Sequence, residues 1–374
     1  TGGTALVSKL LGESKKDEAH RTFSMMVLFT LLLGLVLSAV GFLTMRPVSY
    51  FLGATDAMID DCVLYGRIVT GFTFAFMLQN VFQSFFIAAE KPRLGLIVTV
   101  AAGVTNMALD ALFIAVFDWG VAGAAIATGL SQCVGGVLPL IYFLRPNDSL
   151  LRMRPTALRL RPILQACGNG SSELMSNISS SLVGMLYNFQ LMRLIGEDGV
   201  SAYGVLMYVQ FIFVAIFIGY SIGSAPVVSF HFGAQNHGEL KSLLRKSVLL
   251  TSSGGVLLTV AARLLAALLA HLFVGYDAVL FDLTTHAFRL FSWSFLLAGF
   301  NIFTSGFFTA LNNGAISAAI SFLRTLVFQT ASVLILPLLL GVDGIWWAIT
   351  VAEIFAFLIS LLFLFLKRNK YHYL

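Results

Sequence analysis

The sequence predicts an all-α integral membrane protein, a polytopic helix bundle with ten visible helices in two pseudo-symmetric lobes. Three observations lead to this prediction: an apolar composition, ten apolar runs of spanning length, and an internal repeat. The chain of 374 residues is 58% hydrophobic and only 11% charged, whereas charged residues make up about a quarter of an ordinary soluble domain. This composition suits a chain whose helices contact lipid.

The apolar runs are continuous, which favours helices over the alternating pattern of membrane strands. Each is long enough to cross the hydrocarbon core, which requires about 20 apolar residues. The ten predicted spans are 23–45, 64–88, 94–117, 121–144, 170–193, 200–229, 247–273, 283–311, 316–340 and 344–366.

The basic residues are distributed unevenly between the loops. Most of the 23 Lys and Arg residues fall in the N-terminal segment, in alternate loops and after the last span, whereas the other loops are acidic. Because cytoplasmic loops carry an excess of Lys and Arg, we expect a multi-pass protein of the cell inner (plasma) membrane with both ends of this chain cytoplasmic.

The sequence repeats itself at an offset of 221 residues. The matched positions are Gly12 with Gly233, Asp56 with Asp277, Asn80 with Asn301 and, after a small slip, Asp118 with Asp343. Duplicated halves are common in secondary transporters. We therefore expect an N-terminal lobe with its linker at 1–155 and a C-terminal lobe of six helices at 156–374. Two spans precede Gly233 but almost nothing precedes Gly12, so we expect the full protein to have twelve helices, with the first two absent from this chain.

Three segments resemble one transporter family. They are the charged loop after Gly12 (LLGESKKDEAHRTF), the stretch from Asn106 to Gln132 (NMALDALFIAVFDWGVAGAAIATGLSQ), and GNGSSELMSNIS from Gly168, which is similar to a subgroup of bacterial members. Together with the repeat they resemble the multidrug and toxic compound extrusion (MATE) family. The resemblance implies a twelve-helix exporter with two six-helix lobes, which expels amphipathic, often cationic compounds in exchange for H⁺ or Na⁺.

Ionisable side chains are costly at membrane depth, so each one inside a span is a candidate functional residue. Asp110 lies in the third apolar run, and Asn106 precedes it by four residues, which puts both on one face of a helix. Thr128 lies on the next predicted helix. Their hard oxygen ligands suit a proton or Na⁺, although simple helix-to-helix hydrogen bonding, worth about 0.6 kcal/mol, is the alternative. The resemblance implies that Asn106, Asp110 and Thr128 match a family cation site, whose further acidic residue would lie on the absent first helix.

Other polar residues within spans are weaker candidates for a substrate cleft or a second ion site. They are Glu173, Asn80, Asn301, Gln210 and Glu353. Arg263 and Arg324 also lie inside predicted spans, and the sequence leaves open whether each extends to the membrane surface or pairs with an acid.

The predicted function is secondary active multidrug export by alternating access, with no cofactor beyond the coupling ion. A nucleotide-binding GxxxxGK[ST] loop is absent from the sequence. A lipid-linked precursor flippase of related architecture is the first alternative, and a membrane-embedded enzyme, which would need convergent catalytic groups, is the second. We expect small-molecule substrates, a monomer in the bilayer, and no nucleic acid, since the Arg-rich stretch 145–161 has no aromatic stacking platform.

Overall fold

The structure is a computed structural model that describes residues 1–51 and 54–373, and these residues form helices and short connections without a strand. The α-helices are α1 Gly2–Gly12, α2 Lys16–Phe51, α3 Ile59–Gly71, α4 Thr73–Ala88, α5 Pro92–Asp110, α6 Gly120–Leu144, α7 Leu160–Asn169, α8 Ser171–Leu194, α9 Glu197–Gly233, α10 His237–Val274, α11 Ala278–Phe291, α12 Phe295–Ala310, α13 Gly314–Phe322, α14 Gln329–Leu340 and α15 Val342–Tyr371. Two segments, Ala111–Val116 and Leu323–Phe328, are π-helical, and Ser292–Ser294 is a 3₁₀ turn. The prediction of an all-helical membrane protein is confirmed.

Eight helices of the described residues are long and apolar enough to cross a membrane. A ninth span arises if α3 and α4, which meet at a bend of 46°, are counted together. The predicted span 170–193 corresponds to the single helix α8, which does not reach this standard because Ser and Asn side chains interrupt its apolar face. If the bent pair counts as one span, nine of the ten predicted spans correspond to apolar spanning helices of the described residues.

The internal repeat is visible in the order of the helices. At the offset of 221 residues, α2 matches α10, the pair α3–α4 matches α11–α12, and α5 matches α13. Even the interruption is repeated, because Phe72, between α3 and α4, corresponds to Trp293 in the 3₁₀ turn. The π-helical segments do not match, since the second one lies earlier in its span than the first.

The described chain divides into two compact units. The first contains Ser14–Leu164, and the second contains Gln165–Leu374 together with Gly2 and Thr4–Glu13. Most of α1 groups with the second unit, in which it packs against α9. The predicted lobes 1–155 and 156–374 stay a prediction.

Aromatic packing forms the core of the first unit. Phe23 on α2 makes edge contacts with Phe85 and Phe143, with ring centroids 4.8 and 5.0 Å apart, and Phe82 stacks on Phe143 at 5.6 Å. All four side chains are fully buried or nearly so. Aromatic pairs of this geometry contribute about 0.5–1.5 kcal/mol each beyond their buried area, and they hold α2, α4 and α6 together.

The segment after α6 is held to the first unit by polar contacts. The Lys91 ammonium lies 3.2 Å from the Asp148 carboxylate, and Arg154 lies 3.1 Å from Asp17. The hydrogen bond from Lys91, together with a backbone hydrogen bond, lowers the pKa of Asp148. The backbone N–H of Arg154 also donates to the Ser24 hydroxyl at 2.8 Å. This connecting segment is therefore ordered against the helix ends.

The apolar core of the second unit contains two clusters of buried side chains. Trp346 of α15 is 1% exposed and belongs to a cluster with Phe288, Phe291 and Phe295. A second cluster surrounds Phe307 and contains Tyr373, whose hydroxyl donates to the carbonyl oxygen of Leu364.

Two glycines form a reciprocal contact between α1 and α9. A Cβ atom added at Gly12 would overlap the carbonyl oxygen of Phe230, and one added at Gly233 would overlap the carbonyl oxygen of Lys9. These four residues are related by the repeat offset of 221, so each half supplies the same glycine and the same carbonyl. Only a residue without a side chain permits backbones to approach so closely.

We expect Gly12→Ala and Gly233→Ala each to lower the free energy of unfolding by about 1–3 kcal/mol, the usual cost of overpacking. The clash is with a backbone carbonyl, which cannot move away by side-chain rotation. Thermal unfolding of the purified protein in detergent measures the effect. Gly204→Ala on the same helix α9 is the matched control, because nothing lies within 4 Å of its added Cβ. Unfolding temperatures equal to the wild type for both contact variants would contradict the proposed packing role.

Candidate functional site

Asp110 occupies the last position of α5, at the point where the helix changes from α to π geometry. The π-helical segment Ala111–Val116 begins at the next residue. Such π segments are uncommon and are frequently found at functional sites. Among the residues that the structure describes, none forms a hydrogen bond or ion pair with the Asp110 carboxylate, which is partly exposed. A carboxylate inside an apolar span without a structural partner is available to a ligand.

The turn after the π segment is fixed by aromatic stacking. Phe113 stacks on Trp119 with centroids 4.9 Å apart, and the N–H of Trp119 donates to the carbonyl oxygen of Phe113 at 2.9 Å. Asp118 has φ 53°, and Gly120 has φ 51°, so two left-handed residues reverse the chain. The reversal makes α5 and α6 packed antiparallel neighbours.

The second helix of the hairpin carries Thr128 and Gln132, one turn apart. Counted from the turn, Asp110 lies roughly level with Thr128, and Asn106 roughly level with Gln132. The Asn106 Nδ2 and the Gln132 Oε1 atoms are both buried without a hydrogen-bond partner. Buried polar atoms are nearly always satisfied, so such exceptions call for an explanation. A bound cation would supply a partner for the Gln132 oxygen, whereas the Asn106 amide N–H requires an acceptor.

Sequence reasoning did not single out Gln132, although a signal was present. Gln132 follows Thr128 by four residues, just as Asp110 follows Asn106, so each helix carries one polar i,i+4 pair. We refer to Asn106, Asp110, Thr128 and Gln132 as the hairpin site. The structure gives no hydrogen bond among these four side chains, and their joint role as a cation site stays a prediction.

A close approach beside Thr128 ties this region to the bent span. A Cβ atom added at Gly129 would overlap the ring of Phe72, the residue at which α3 ends and α4 begins. The bend therefore packs against α6 at the residue that follows Thr128. A movement at the bend would therefore change the packing of Phe72 against α6.

The second unit contains a buried network that joins three helices. The Arg324 guanidinium binds both oxygens of Glu353, with Nε and Nη2 at 2.9 and 2.6 Å from Oε1 and Nε at 3.1 Å from Oε2. The Asn301 amide donates to Glu353 Oε2 at 2.7 Å and to the Glu353 carbonyl oxygen at 3.0 Å. Asn301 is 0% and Glu353 1% exposed. Neither side chain reaches a surface in this conformation. The sequence left open whether Arg324 extends to the membrane surface or pairs with an acid, and in the structure it pairs with Glu353.

The remaining sequence candidates are dispersed. Asn80 is exposed and its amide donates to the Phe76 carbonyl oxygen on its own helix, so the two amides matched by the repeat have different surroundings. Glu173 lies exposed in the first turn of α8, and Gln210 on α9 has a buried Oε1 without a partner. Arg263 donates to the Arg289 carbonyl oxygen and lies 4.7 Å from the Trp293 ring centre. A cleft role for Asn80, Glu173 and Gln210 stays a prediction.

No group of three or more His, Cys, Asp or Glu side chains that could hold a metal ion occurs in the described ranges 1–51 and 54–373. A monovalent cation does not require such a group, because amide and hydroxyl oxygens also serve as hard ligands. The hairpin site offers this oxygen-rich chemistry with a single carboxylate.

Comparison with known proteins gives multidrug export proteins among the relatives. The chain is 24% identical over 376 aligned residues to the multidrug export protein MepA of Staphylococcus saprophyticus, covering 99% of this chain and 81% of the relative. It is 22% identical to MepA of Staphylococcus aureus strain N315 with the same coverage.

Solved structures show the same fold. An outward-facing multidrug resistance MATE family transporter of the MOP superfamily superimposes with a TM-score of 0.94 at 20% identity, covering 99% of this chain and 83% of that one. A MOP superfamily transporter from Pyrococcus furiosus gives 0.92 at 20% identity, covering 98% and 83%. The family model described as MatE matches residues 1–112 and 174–334. The chain therefore belongs to the MatE family of membrane transporters, as the resemblance of its motifs predicted.

Proposed function

We propose that this protein is a secondary active exporter of amphipathic, often cationic compounds, driven by inward movement of H⁺ or Na⁺. The single observation that carries the proposal is the Asp110 carboxylate, which lies in an apolar span at an α-to-π junction and has no partner among the described residues. Membership of the MatE family and the names of the MepA relatives support export as the direction. The names also leave the enzyme alternative without support.

The hairpin site fits a coupling role better than a structural one. A helix-to-helix hydrogen bond would have a partner, and neither the Asp110 carboxylate nor the buried polar atoms of Asn106 and Gln132 has one. Placing a charged group inside a span is expensive, so such groups usually serve ion pathways or proton relays. Binding of a cation would neutralise the carboxylate and satisfy the buried amide oxygen.

Coupling requires that the cation and the substrate favour different conformations. Asp110 immediately precedes the π segment, and Gly129 on the facing helix packs against Phe72 at the bend between α3 and α4. Cation binding at the hairpin site would therefore act on two irregular helix segments at once. Alternating access in the plasma membrane, by a monomer with both ends of this chain cytoplasmic, completes the proposal.

The first prediction concerns Asp110→Asn, which keeps the size of the side chain and removes its charge. We expect ethidium efflux driven by an ion gradient to fall to the background level, because the amide cannot exchange a proton and binds Na⁺ weakly. Efflux is measured in cells that express the complete gene and again after the ion gradient is collapsed.

Asp118→Asn is the matched control, since Asp118 is exposed in the turn after the same span and Asn tolerates its positive φ. Efflux that survives Asp110→Asn would place the coupling group elsewhere. If the wild type expels no cationic dye, the flippase alternative becomes the better reading.

The second prediction concerns Gln132, the residue that the structure adds to the site. We expect Gln132→Leu to raise the concentration of the coupling ion that gives half-maximal efflux by about tenfold, the factor for one lost interaction of about 1.4 kcal/mol. Proteoliposomes with a fixed dye load and a varied Na⁺ or H⁺ concentration provide the measurement.

Ser131→Ala is its control, because the Ser131 hydroxyl already donates to the Thr128 carbonyl oxygen. An unchanged ion dependence for Gln132→Leu would remove this residue from the site. A change that appears with Na⁺ but not with pH would identify Na⁺ as the ion, and the reverse would identify H⁺.

A further inference from the structure

Two of the three residues in the buried network, Arg324 and Glu353, lie on spans that the repeat relates to the two helices of the hairpin site. Asn301 on α12 corresponds to Asn80 on α4, and the span α13–α14 that carries Arg324 corresponds to α5 with its π segment. The slip that aligns Asp118 with Asp343 also aligns Thr128 with Glu353, since both lie ten residues further on. The second unit therefore has a carboxylate at the position of a hairpin-site residue.

The surroundings of the two carboxylates are opposite. Asp110 has no partner in the described part of the chain, whereas both Glu353 oxygens are occupied by the guanidinium and the amide. An arginine side chain stays protonated in proteins, and its planar fork binds a carboxylate through two parallel hydrogen bonds. The four hydrogen bonds leave no coordination position on Glu353 for a free cation.

The position of Arg324 strengthens this contrast. Arg324 is the second residue of the π segment Leu323–Phe328, so each unit has a charged side chain at or beside a π segment, negative in the first and positive in the second. The Arg324 side chain is 17% exposed and the Glu353 side chain 2%, so water and ions have little access to the pair.

We propose that Arg324 is a tethered cation that occupies the second unit's ion position permanently and so restricts ion coupling to the hairpin site. Glu353 stays deprotonated and paired throughout the transport cycle, and Arg324 and Asn301 are its positioning residues. An ion whose binding is the same in both conformations cannot drive a change between them. The inference rests on the proposed function, but the state of the Glu353 carboxylate can be tested without measuring transport.

The transport-independent test uses infrared difference spectroscopy of the purified protein across a pH titration. The wild type is compared with the double variant Arg324→Gln/Glu353→Gln, which removes both charges together and keeps similar side-chain volumes. We expect the two spectra to show the same protonated-carboxyl bands, with no additional band in the wild type. Such a band would show that Glu353 takes up protons in the native protein, and the inference would be overturned.

The single variant Arg324→Gln supplies the positive result. Without the guanidinium, the buried carboxylate should take up a proton or Na⁺, so a protonated-carboxyl band or Na⁺-dependent thermal stabilisation should appear and should vanish in the double variant. Arg263→Gln is the matched control, because that guanidinium bonds to a carbonyl oxygen and an aromatic ring. A folded Arg324→Gln protein that gains neither signal would contradict the inference.

The transport test uses the double variant alone, so it does not depend on the folding of the single one. We expect the double variant to expel ethidium with the same number of ions per dye molecule as the wild type. Adding Asp110→Asn to the double variant should abolish efflux, as it should in the wild-type background. Loss of ion dependence in a folded double variant would make Glu353 a coupling group and overturn the inference. Failure of the wild type to expel any cationic dye would count against the proposed function instead, while the infrared result would still decide the state of Glu353.

Discussion

The constraint on which this structure depends is that hydrocarbon cannot satisfy a polar group. Backbone donors and acceptors must pair within each helix, so the chain is helical throughout its described spans. In the second unit the Arg324 guanidinium, the Glu353 carboxylate and the Asn301 amide nitrogen bond one another. The hairpin site differs from this network because its carboxylate, Asp110, has no partner among the described residues.

The duplicated halves share a helix order but not their electrostatics. The interruption at Phe72 and Trp293 and the reciprocal contact of Gly12 with Gly233 are features of the backbone, and they are the same in both repeats. The ionisable side chains have diverged, with an unpaired carboxylate in one unit and a closed ion pair in the other. The two copies thus share their packing, while the carboxylate proposed for coupling lies in the first unit.

Much of the fold could be predicted from the sequence because apolar length and the repeat offset survive as one-dimensional patterns. Most of the spans and the family membership followed in this way. Whether α8 is apolar enough to span a membrane was less predictable, since its Ser and Asn residues lower its apolar character without ending the helix. In the hairpin site, Asp110, Asn106 and Thr128 were predicted by spacing and resemblance, whereas Gln132 emerged from its unpaired buried oxygen.

The sequence by itself determined that this chain crosses a membrane repeatedly, that it is duplicated, and where its intramembrane charges lie. Those properties depend on composition and periodicity, which are local. Only the tertiary structure decided which charges are paired. Arg324 and Arg263 look alike in the sequence, yet one binds a carboxylate and the other a carbonyl oxygen and an aromatic ring. Pairing depends on which helices pack side by side and at what rotation, and residue spacing along one helix does not contain that information.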